Sequence, residues 1–519
     1  MACVIFMMLK AKILGLEAEK PIIILNKEDA EDIDVKPSDR VELSLKGRKE
    51  TAIVNIASRF IKSGEIGLFS EIAEHMKAEA DDKIGVSPSV PPESMIYIRE
   101  KLAGKSLKEY QINKIVEDAV ENKLSEIEMT AFVTALYNHG MTMGEVAALS
   151  KSMALTGKRL DLGKKNIYDK HSIGGVAGDK TSMILVPIVA AAGLTIPKTS
   201  SRAITSPAGT ADRFECLAPV ELGLEEIKRV VRKTNGCLVW GGAVDLAPAD
   251  DLFIKIEYPL SIDPLLLPSV MSKKKAVGAK YLVIDIPTGE GAKVKTKKEA
   301  ESLAEKFIEL GKMLHINTVG ASTYGEQPIG YAIGPALEAR EALNTLMYGK
   351  GPADLVDKVS DLAGILLDFK IGRGGQKEAL RLLKNGKAYK KLKEIISAQG
   401  GDPNIKPGDL PIGPKHVEVK SNISGCVGWI SNIAVVEISR AAGTPKDKGA
   451  GILLHKKMGD KVKKGETLFE IYAEKSYKLE RALSLARELK VIGVGEKFDM
   501  LLEKIPKIIE HPKYFILER

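Results

Sequence analysis

The amino-acid sequence predicts a multidomain α/β protein with four parts: a small N-terminal β-rich barrel, a helical domain, a mixed or largely parallel α/β domain, and a C-terminal barrel-sandwich-like α+β domain. Three observations support this prediction. The chain has 519 residues, which is too long for one typical domain. Its hydrophobic periodicity changes along the chain, from the alternation of strands to helical spacing and back. Proline- and glycine-rich stretches mark several of these changes.

The first part, residues 1–88, is assigned to the N-terminal domain because short β-branched runs alternate there with polar turns. These runs are Pro21–Leu25, Val41–Leu45 and Thr51–Val54. The apolar start from Met1 to Leu9 lacks a basic region and runs directly into Lys10, which favours a strand over a signal peptide. Val86–Pro92 contains three prolines and should break any regular element, so we interpret it as the first linker.

The next two parts differ in their hydrophobic spacing. Residues 93–160 carry apolar side chains at helical intervals, such as Ile112, Ile115 and Val116, and form the predicted helical domain. From Asn166 to about Lys415, short apolar strands such as Leu282–Ile286 alternate with amphipathic helices such as Lys298–Leu314. That alternation is typical of a largely parallel sheet, and we assign residues 166–247 and 280–413 to this α/β domain.

The C-terminal part, residues 415–519, returns to short strands and turns after Pro411–Pro414. Its segment Gly459–Leu468 resembles the hammerhead turn of biotinyl and lipoyl domains. The usual neighbours of a carrier lysine are missing at that turn, so we interpret this domain as purely structural.

Composition and charge exclude several classes of protein. The 77 basic and 69 acidic residues give a net charge of +8, but the lysines are interleaved with glutamates, as on a solvated surface. Aromatic residues make up only 5%, so nucleic-acid binding is not expected. No apolar run approaches membrane-spanning length. The four cysteines are too few and too dispersed for a disulfide scaffold or a zinc site, which fits a cytoplasmic protein.

A glycine-rich loop, Lys170–Ser182, follows one predicted strand and precedes the apolar helix Met183–Ala192. Its glycines let backbone N–H groups approach an anion closely, and the positive end of the following helix also favours a phosphate. Lys170 and the hydroxyls of Ser172 and Ser182 add charge and donors. An ordinary strand-to-helix turn is the alternative for such a loop on its own.

A second loop, Thr199–Asp212, is dense in hydroxyl groups and contains one arginine, Arg202, before another helix. Helix capping and turn formation are its alternative explanation, since serine, threonine and glycine are common in both. Two such loops around one short helical unit favour a ligand site, and we expect phosphate there.

The first loop has the pattern Lys-His-Ser-x-Gly-Gly-Val-x-Gly-Asp-Lys-x-Ser, which resembles the signature of thymidine and pyrimidine-nucleoside phosphorylases, with Ala177 as one additional residue. The second loop is similar without gaps at Ser200, Arg202 and Thr210. Ser269–Lys274 matches the family's Ser-x-Met-Ser-Lys-Lys. The resemblance extends from about residue 94 to the C-terminal domain. It implies the fold, a phosphorolysis reaction, and the placement of about residues 248–276 with the helical domain.

The chain also departs from the nucleoside-cleaving members. Their base-reading arginine has no counterpart, because no arginine occurs between Lys233 and Ile284. The loop Ser201–Ser206, the tetrapeptide Ser261–Pro264 and the additional N-terminal domain instead resemble the archaeal branch that cleaves nucleoside 5′-monophosphates. In that branch the proton donor corresponds to Asp263, with two residues fewer between Asp263 and Ser269 than expected. The implied nucleotide contacts are Gly175, Ser201, Arg202, Ala203, Ile204, Thr205, Ser206, Thr210, Ser269 and Lys293.

The implied reaction converts AMP and inorganic phosphate into adenine and ribose 1,5-bisphosphate, and the sequence does not rank AMP against CMP or UMP. Phosphate must be fixed close to C1′, where positive charge develops in the transition state. Its predicted ligands are Lys170, Ser172, Ser182, Ser200 and Thr210. Arg202 with the surrounding hydroxyls, or Lys293, is expected to bind the 5′-phosphate. No metal or cofactor is expected besides phosphate as co-substrate, and the resemblance implies a homodimer or a larger homo-oligomer.

Three of these residues have a simpler structural interpretation. Asp263 precedes Pro264 and would suit a helix N-cap with proline at the first helical position. Lys293 could be a solvated loop lysine, although the flanking glycines suggest close approach of a ligand. His171 is either a hydrogen-bonded core histidine or a substrate contact, and the sequence leaves both open.

Two other functions compete with this one. A phosphoribosyltransferase resembles the superfamily in its helical and α/β arrangement, but anthranilate phosphoribosyltransferase uses an Asp-Glu pair for Mg²⁺, and no Asp-Glu dipeptide occurs in this chain. A non-catalytic assembly protein would explain the N-terminal barrel and the biotinyl-like C-terminal part. The intact phosphate loops argue against it.

Overall fold

The protein is described by a computed structural model covering residues 6–18, 20–89, 91–203 and 206–495. The chain divides into two compact units. The first unit contains Met1–Lys165, Gly242–Lys280 and Lys306–Thr318, and the second contains Asn166–Gly241, Tyr281–Glu305 and Val319–Arg519. No helix in the described parts of the chain is long and apolar enough to cross a membrane.

The first unit begins with a closed barrel of six strands in the order β1-β5-β2-β4-β3-β6. Alternate side chains of each strand point into one apolar core, which includes Ile23, Val41 and Val54. Two short helices accompany the strands. The elements are β1 Met7–Ile13, β2 Ile22–Asn26, α1 Lys27–Asp32, β3 Arg40–Leu45, β4 Arg48–Ala57, β5 Glu65–Leu68, α2 Ser70–Met76 and β6 Lys83–Pro88.

The linker predicted at Val86–Pro92 is wrong for its first three residues. They form the end of β6, where Val86 pairs with Leu43 on one side and Met7 on the other. The Val86 side chain is fully buried in the barrel core, and this burial outweighs the effect of the nearby proline. Pro88 occupies the last position of the strand, where a missing N–H is tolerated. Val90 lies outside the described residues.

Four helices follow: α3 Ser94–Leu102, α4 Glu109–Val120, α5 Glu126–His139 and α6 Met143–Leu155. Two of them begin with a capping box, in which the Ser125 or Thr142 hydroxyl accepts the amide of a glutamate three residues later. A buried ion pair joins Lys101 to Glu145 at 2.7 Å. The barrel contacts this bundle directly, because the Arg40 guanidinium donates hydrogen bonds to the carbonyls of Asn122 and Leu124.

The second unit starts with parallel strands that alternate with helices, as predicted. The elements are β7 Tyr168–Ser172, α7 Thr181–Ala191, β8 Ile196–Ser200, α8 Thr210–Phe214, α9 Leu224–Thr234 and β9 Gly236–Trp240. Strands β8 and β9 pair in parallel. The predicted apolar helix at Met183–Ala192 is α7, which is buried along almost its whole length.

The chain then returns to the first unit with α10 Pro248–Leu260 and α11 Leu266–Val277. These two helices share an apolar core with α3–α6. Phe253 of α10 packs against Phe132 of α5, with ring centroids 6.1 Å apart.

The α/β region continues with β10 Tyr281–Thr288, α12 Lys297–Leu314, β11 Asn317–Tyr324 and β12 Ala332–Ile333. Strand β10 lies between β11 and β7 and is parallel to β7. The expected alternation of strands and helices ends here, because four helices follow one another between residues 335 and 398. They are α13 Pro335–Tyr348, α14 Ala353–Ile371, α15 Gly375–Lys384 and α16 Lys387–Ala398. Their apolar faces cover α7 in one large core.

The C-terminal region forms two small sheets with the strand orders β12-β15-β17-β13 and β16-β14-β18. Strand β12 reaches this region from the α/β part and pairs with β15. The elements are β13 Lys415–Lys420, β14 Gly425–Ile430, α17 Asn432–Ala442, β15 Gly451–Leu454, β16 Lys461–Val462, β17 Thr467–Ala473, α18 Ser476–Glu488 and β18 Ile492–Gly495.

Candidate active site

The glycine-rich loop predicted from the sequence connects the carboxyl end of β7 to the start of α7. Gly174, Gly175 and Gly178 all adopt positive φ angles, of 82°, 97° and 73°. Side chains rarely adopt this conformation, so the three glycines determine the path of the loop. Ser172 ends β7, and Ser182 lies in the first turn of α7. Backbone amides, a helix N-terminus and two hydroxyls therefore meet at the end of a parallel strand, where α/β proteins usually bind ligands.

Gly175 contacts the loop between β10 and α12. A Cβ atom on Gly175 would lie 2.5 Å from the backbone nitrogen of Lys293, which is too close for any side chain. The Lys293 side chain is exposed. The structure thus brings together two predicted nucleotide contacts that are far apart in the sequence.

Lys180 anchors the base of the glycine loop. Its fully buried ammonium group donates to the carbonyls of Ile329 and Ala332, at 2.8 and 3.0 Å, and pairs with Glu341. Lys180 therefore has a structural role, because it holds the loop against the segment that leads through β12 into the C-terminal region.

Lys170, a predicted phosphate ligand, is almost completely buried among charged groups. Its Nζ atom lies 3.1 Å from Oδ2 of Asp285 and 3.8 Å from Oδ2 of Asp179. Lys358 of α14 approaches the same two carboxylates at 3.0 and 3.7 Å. The result is a cluster of two lysines and two aspartates, which we call the lysine–aspartate quartet.

Mutual pairing shifts the pKa values of three members of the quartet, Asp179, Asp285 and Lys358. Burial would raise the pKa of Asp179, but the ammonium groups of Lys170 and Lys358 hold this pKa well below its ordinary value. The pKa of Asp285 is lowered in the same way, against burial. Burial would lower the pKa of Lys358, yet the two carboxylates raise it. The formal charges of the two lysines and two aspartates sum to zero.

The second loop begins at Ser200, the last residue of β8, whose hydroxyl donates to the carbonyl of Val239 at 3.2 Å. Asp212 organises the loop, because its Oδ2 accepts the amides of Ala203 and Gly209 at 2.7 and 2.8 Å. Ser201 is exposed, the Ser206 hydroxyl donates to the carbonyl of Ala208, and Thr210 is the first residue of α8. The predicted contacts Ile204 and Thr205 lie outside the described residues.

Arg202 is already surrounded by carboxylates. Its guanidinium contacts Glu215 at 2.6 Å, Glu221 at 2.7 Å and Asp212 at 3.3 Å, and it stacks 5.0 Å above the Trp240 ring. Lys448 also binds Glu215, at 2.6 Å. Hydrogen bonds from Arg202 are the main reason that the pKa of Glu215 is lowered to about 2. We call this group the arginine cluster.

Asp263 and Ser269 belong to the first unit. The alternative that Asp263 caps a helix is wrong, because α11 begins at Leu266 and Leu265 occupies its N-cap position. The amide of Leu265 donates to the Glu257 carboxylate at 3.0 Å, and its carbonyl accepts the amide of Ser269 at 2.8 Å. Asp263 is exposed and Ser269 half-buried within α11.

The structure leaves the role of His171 open. Its ring is half-buried on β7, where it pairs in register with Ile284 of β10. Across the described residues, no group of three or more histidine, cysteine, aspartate or glutamate side chains could hold a metal ion.

Sequence reasoning missed Asp285, Lys358 and Lys448. Asp285 carried a usable signal, because it interrupts the apolar strand Leu282–Ile286 with a charge. Lys358 and Lys448 carried none, since each lies in a helix or loop where lysine is common. Their importance depends on tertiary contacts.

Three family models match successive parts of the chain. A helical bundle domain of a glycosyl transferase family matches residues 96–157, and the a/b domain of that family matches residues 164–389. The C-terminal domain of pyrimidine nucleoside phosphorylases matches residues 428–493.

Full-length relatives are similar over almost the whole chain. A protein named AMP phosphorylase from Thermofilum pendens is 48% identical over 99% of this chain and 100% of its own length. Proteins of the same name from Pyrococcus furiosus and Methanocaldococcus jannaschii are 51% and 48% identical, each over 96% of this chain and 99% of the relative. A solved anthranilate phosphoribosyltransferase from Thermus thermophilus superposes on 58% of this chain and 98% of its own, with 18% identity and a TM-score of 0.49. That likeness is too weak to support an argument.

Proposed function

The chain belongs to the AMP phosphorylase family, and on that premise we propose that it cleaves AMP with inorganic phosphate. It is a glycosyltransferase that transfers a pentosyl group. A phosphate oxygen forms a bond to C1′ while the bond from C1′ to N9 of adenine breaks. The products are adenine and ribose 1,5-bisphosphate.

One observation carries this proposal, which is the geometry of the glycine loop. Three glycines with positive φ lie at the carboxyl end of a parallel strand and lead into a long buried helix. Their amides, with the hydroxyls of Ser172 and Ser182, suit a tetrahedral anion. We assign inorganic phosphate to this loop, with Lys170 of β7 and with Ser200 and Thr210 of the second loop as further ligands.

We assign the nucleotide to residues on both sides of Gly175. The backbone of Lys293 lies against Gly175 and its side chain is exposed, and on this basis we assign Lys293 to the 5′-phosphate. The Arg202 guanidinium has three carboxylate partners, so we assign it to shaping the loop Ser201–Ser206. Ser269 of the first unit completes the proposed nucleotide contacts.

Asp263 is the proposed general acid. Adenine is a poor leaving group as an anion, and a positioned acid near N7 accelerates such a departure by about a hundredfold or more. Asp263 is exposed and does not occupy the N-cap position of α11, so the alternative capping role does not compete with this assignment.

Several finer features remain part of the proposal. We propose four domains at residues 1–88, 93–160 with 248–276, 166–247 with 280–413, and 415–519, the last a barrel-sandwich-like structural domain. The N-terminal barrel serves oligomerisation, and the protein is a homodimer or a larger homo-oligomer in the cytoplasm. The reaction needs no metal or cofactor besides phosphate, and we extend the substrates to CMP and UMP.

The decisive experiment measures adenine release from AMP with and without phosphate, and with added Mg²⁺ or a chelator. We expect turnover that requires phosphate and is unchanged by the chelator. Equal release without phosphate would contradict phosphorolysis, and loss of activity with the chelator would contradict metal independence. Parallel assays with CMP, UMP and thymidine test the substrate range. A higher kcat/KM for thymidine than for AMP would show that the protein is a nucleoside phosphorylase.

A further inference from the structure

The lysine–aspartate quartet lies beside the proposed phosphate loop. Asp285 of β10 pairs in register with Ser172 of β7, and the carbonyl of Asp285 accepts the amide of Ile173 at 3.0 Å. Lys170 and Ser172 are two residues apart on the same strand, so their side chains leave it on the same face. Asp179 belongs to the glycine loop itself. Lys170 and Asp179 therefore belong to the loop, and the backbone of Asp285 is hydrogen-bonded to it.

Lys358 joins the quartet from α14, far along the chain. It approaches Asp285 and Asp179 at nearly the same distances as Lys170 does. Thr323 of β11 fixes the other oxygen of Asp285 through a hydrogen bond of 2.7 Å. The two carboxylates are thus shared symmetrically between two ammonium groups.

We propose that Lys358 and Asp285 are positioning residues for inorganic phosphate, and this inference rests on the proposed function. Asp285 holds the Lys170 ammonium in place beneath the loop. Lys358 neutralises the carboxylate charge that would otherwise repel the anion. Neither residue needs to touch the substrate.

Charge balance is the physical basis of this inference. Without Lys358, one lysine would face two carboxylates and the cluster would carry a net charge of −1. Buried charges are poorly screened by salt, so this charge would act on a phosphate bound at the adjacent loop. With Lys358 in place the formal charge of the quartet is zero, and Lys170 with the loop amides and hydroxyls determines the affinity for phosphate.

Three variants separate charge from packing: Lys358→Met, Asp285→Asn, and the double variant. Methionine is close to lysine in length and flexibility, and asparagine has nearly the shape of aspartate. The double variant keeps Lys170 opposite Asp179 and is again neutral. Replacing a complete buried ion pair by neutral groups is usually tolerated better than removing one partner, so this variant should fold. The measurement is steady-state kinetics with phosphate varied at saturating AMP, and with AMP varied at saturating phosphate.

We expect Lys358→Met to raise the KM for phosphate by about tenfold or more, while the KM for AMP changes by less than about threefold. Asp285→Asn leaves the cluster with a formal charge of +1, so it should lower the KM for phosphate by about threefold or more, and it should lower kcat because Lys170 loses its nearest carboxylate partner. In the double variant the KM for phosphate should return to within about threefold of the wild-type value. A purely structural role would not produce this compensation.

The inference is overturned if Lys358→Met leaves the KM for phosphate within about twofold of wild type, or if the double variant is no better than Lys358→Met. If Lys358→Met does not fold, the double variant is compared with Asp285→Asn. A KM for phosphate at least about threefold higher in the double variant then supports the inference, and an equal KM overturns it.

Lys101→Met is the matched control, because Lys101 is also a buried lysine paired with a carboxylate, in the helical bundle. It should lower the melting temperature without changing the KM for phosphate. Assays of the wild-type enzyme distinguish a failure of the proposed function from a failure of the positioning role. If it releases no adenine in the presence of phosphate, the proposed function fails; if it is active and the variants show unchanged phosphate kinetics, only the positioning role fails.

Discussion

The two loops of the candidate site hold their charged residues in different ways. At the glycine loop, Lys170 and Lys358 face Asp179 and Asp285, and all four are buried or nearly so. At the second loop, the two cations Arg202 and Lys448 face the three carboxylates of Asp212, Glu215 and Glu221, and most of these groups reach solvent. The quartet is therefore neutral, whereas the arginine cluster carries a net charge of −1.

This difference follows from burial and has functional consequences. A buried cluster must balance its charges, because an unpaired charge in the interior is very costly. A partly exposed cluster can carry an excess charge, since water and salt screen it. The glycine loop, which we propose as the phosphate site, is therefore held by a balanced set of buried charges. The second loop is held by contacts that a charged ligand could rearrange.

The largest expected effect comes from a variant that changes neither loop. Asp263→Asn removes the proposed acid while keeping its shape, and kcat for AMP should fall by about two orders of magnitude or more with little change in KM. The melting temperature should stay close to wild type, because Asp263 is exposed and does not cap α11. This result would show that both loops serve binding and that the chemistry depends on another group.

An AMP analogue with a better leaving group provides the control for Asp263→Asn. Such a substrate needs less protonation, so the variant should recover much of its activity on it. Near wild-type turnover of AMP itself would rule out Asp263 as the acid.

The next effect tests the rigidity of the glycine loop. Gly175→Ala places a Cβ against the backbone of Lys293, whereas Gly174→Ala has the same unfavourable φ but meets no atom within 4 Å. The strain of a positive φ costs about 1–2 kcal/mol in either variant. Displacement of the Lys293 loop should lower kcat/KM by about a hundredfold in Gly175→Ala only. Equal kinetics in the two alanine variants would mean that the contact with Lys293 is unimportant.

A smaller effect is expected at the arginine cluster. Arg202→Gln should raise the KM for AMP by about tenfold, which corresponds to about 1.4 kcal/mol, because the loop Ser201–Ser206 loses its anchor. The KM for phosphate should change little. Arg202→Lys retains the charge but not the planar fork that binds two carboxylates, so it should resemble the glutamine variant. If the lysine variant is fully active, charge alone is sufficient at this position and the anchoring role is wrong.

The pH dependence of stability distinguishes the two clusters further. The folded-state pKa of Glu215 is about 2, below the ordinary value of 4.5, so this carboxylate stabilises the folded protein above that ordinary value. The stabilisation is lost as the pH falls from about 4.5 towards 2. The difference in melting temperature between wild type and Glu215→Gln should therefore be constant from pH 8 to about 5 and decrease below it. High salt should reduce the difference, because Glu215 is partly exposed. A difference that changes between pH 8 and 6 would contradict this assignment.

The smallest effect on catalysis is expected from the N-terminal barrel, which contributes no residue to either loop. Deletion of residues 1–88 should change the oligomer size seen by light scattering and leave kcat/KM per folded site within about threefold of wild type. Arg40→Ala in the full-length protein is the control, since it removes a contact between barrel and bundle without removing the barrel. An unchanged oligomer after the deletion would exclude the oligomerisation role.

Much of the local architecture could be predicted from the sequence. The runs around Ile23, Leu43 and Ile53 are barrel strands, and the apolar segment after Ser182 is a helix. Such patterns are local, because the alternation of buried positions depends only on the geometry of the element. The prediction of a linker is wrong at Val86–Pro88. These residues pair with strands that are distant in sequence, and burial in the resulting barrel outweighs the strand-breaking effect of proline. The four consecutive helices after residue 335 also differ from the prediction, which continues the alternation of strands and helices to about residue 413.

The sequence by itself determined the positions of the glycines and hydroxyls that form the proposed phosphate loop, because a backbone with positive φ strongly favours glycine. Only the tertiary structure decided what the charged residues contact. The sequence predicts both Lys170 and Arg202 as phosphate contacts, and the structure adds that Lys170 lies in a balanced buried quartet whereas Arg202 contacts three carboxylates. Charges find partners through contacts between distant segments, such as α14 with β7 and β10. The energy of each ion pair depends on how deeply both partners are buried, and burial between segments distant in sequence cannot be recognised from a local pattern of residues.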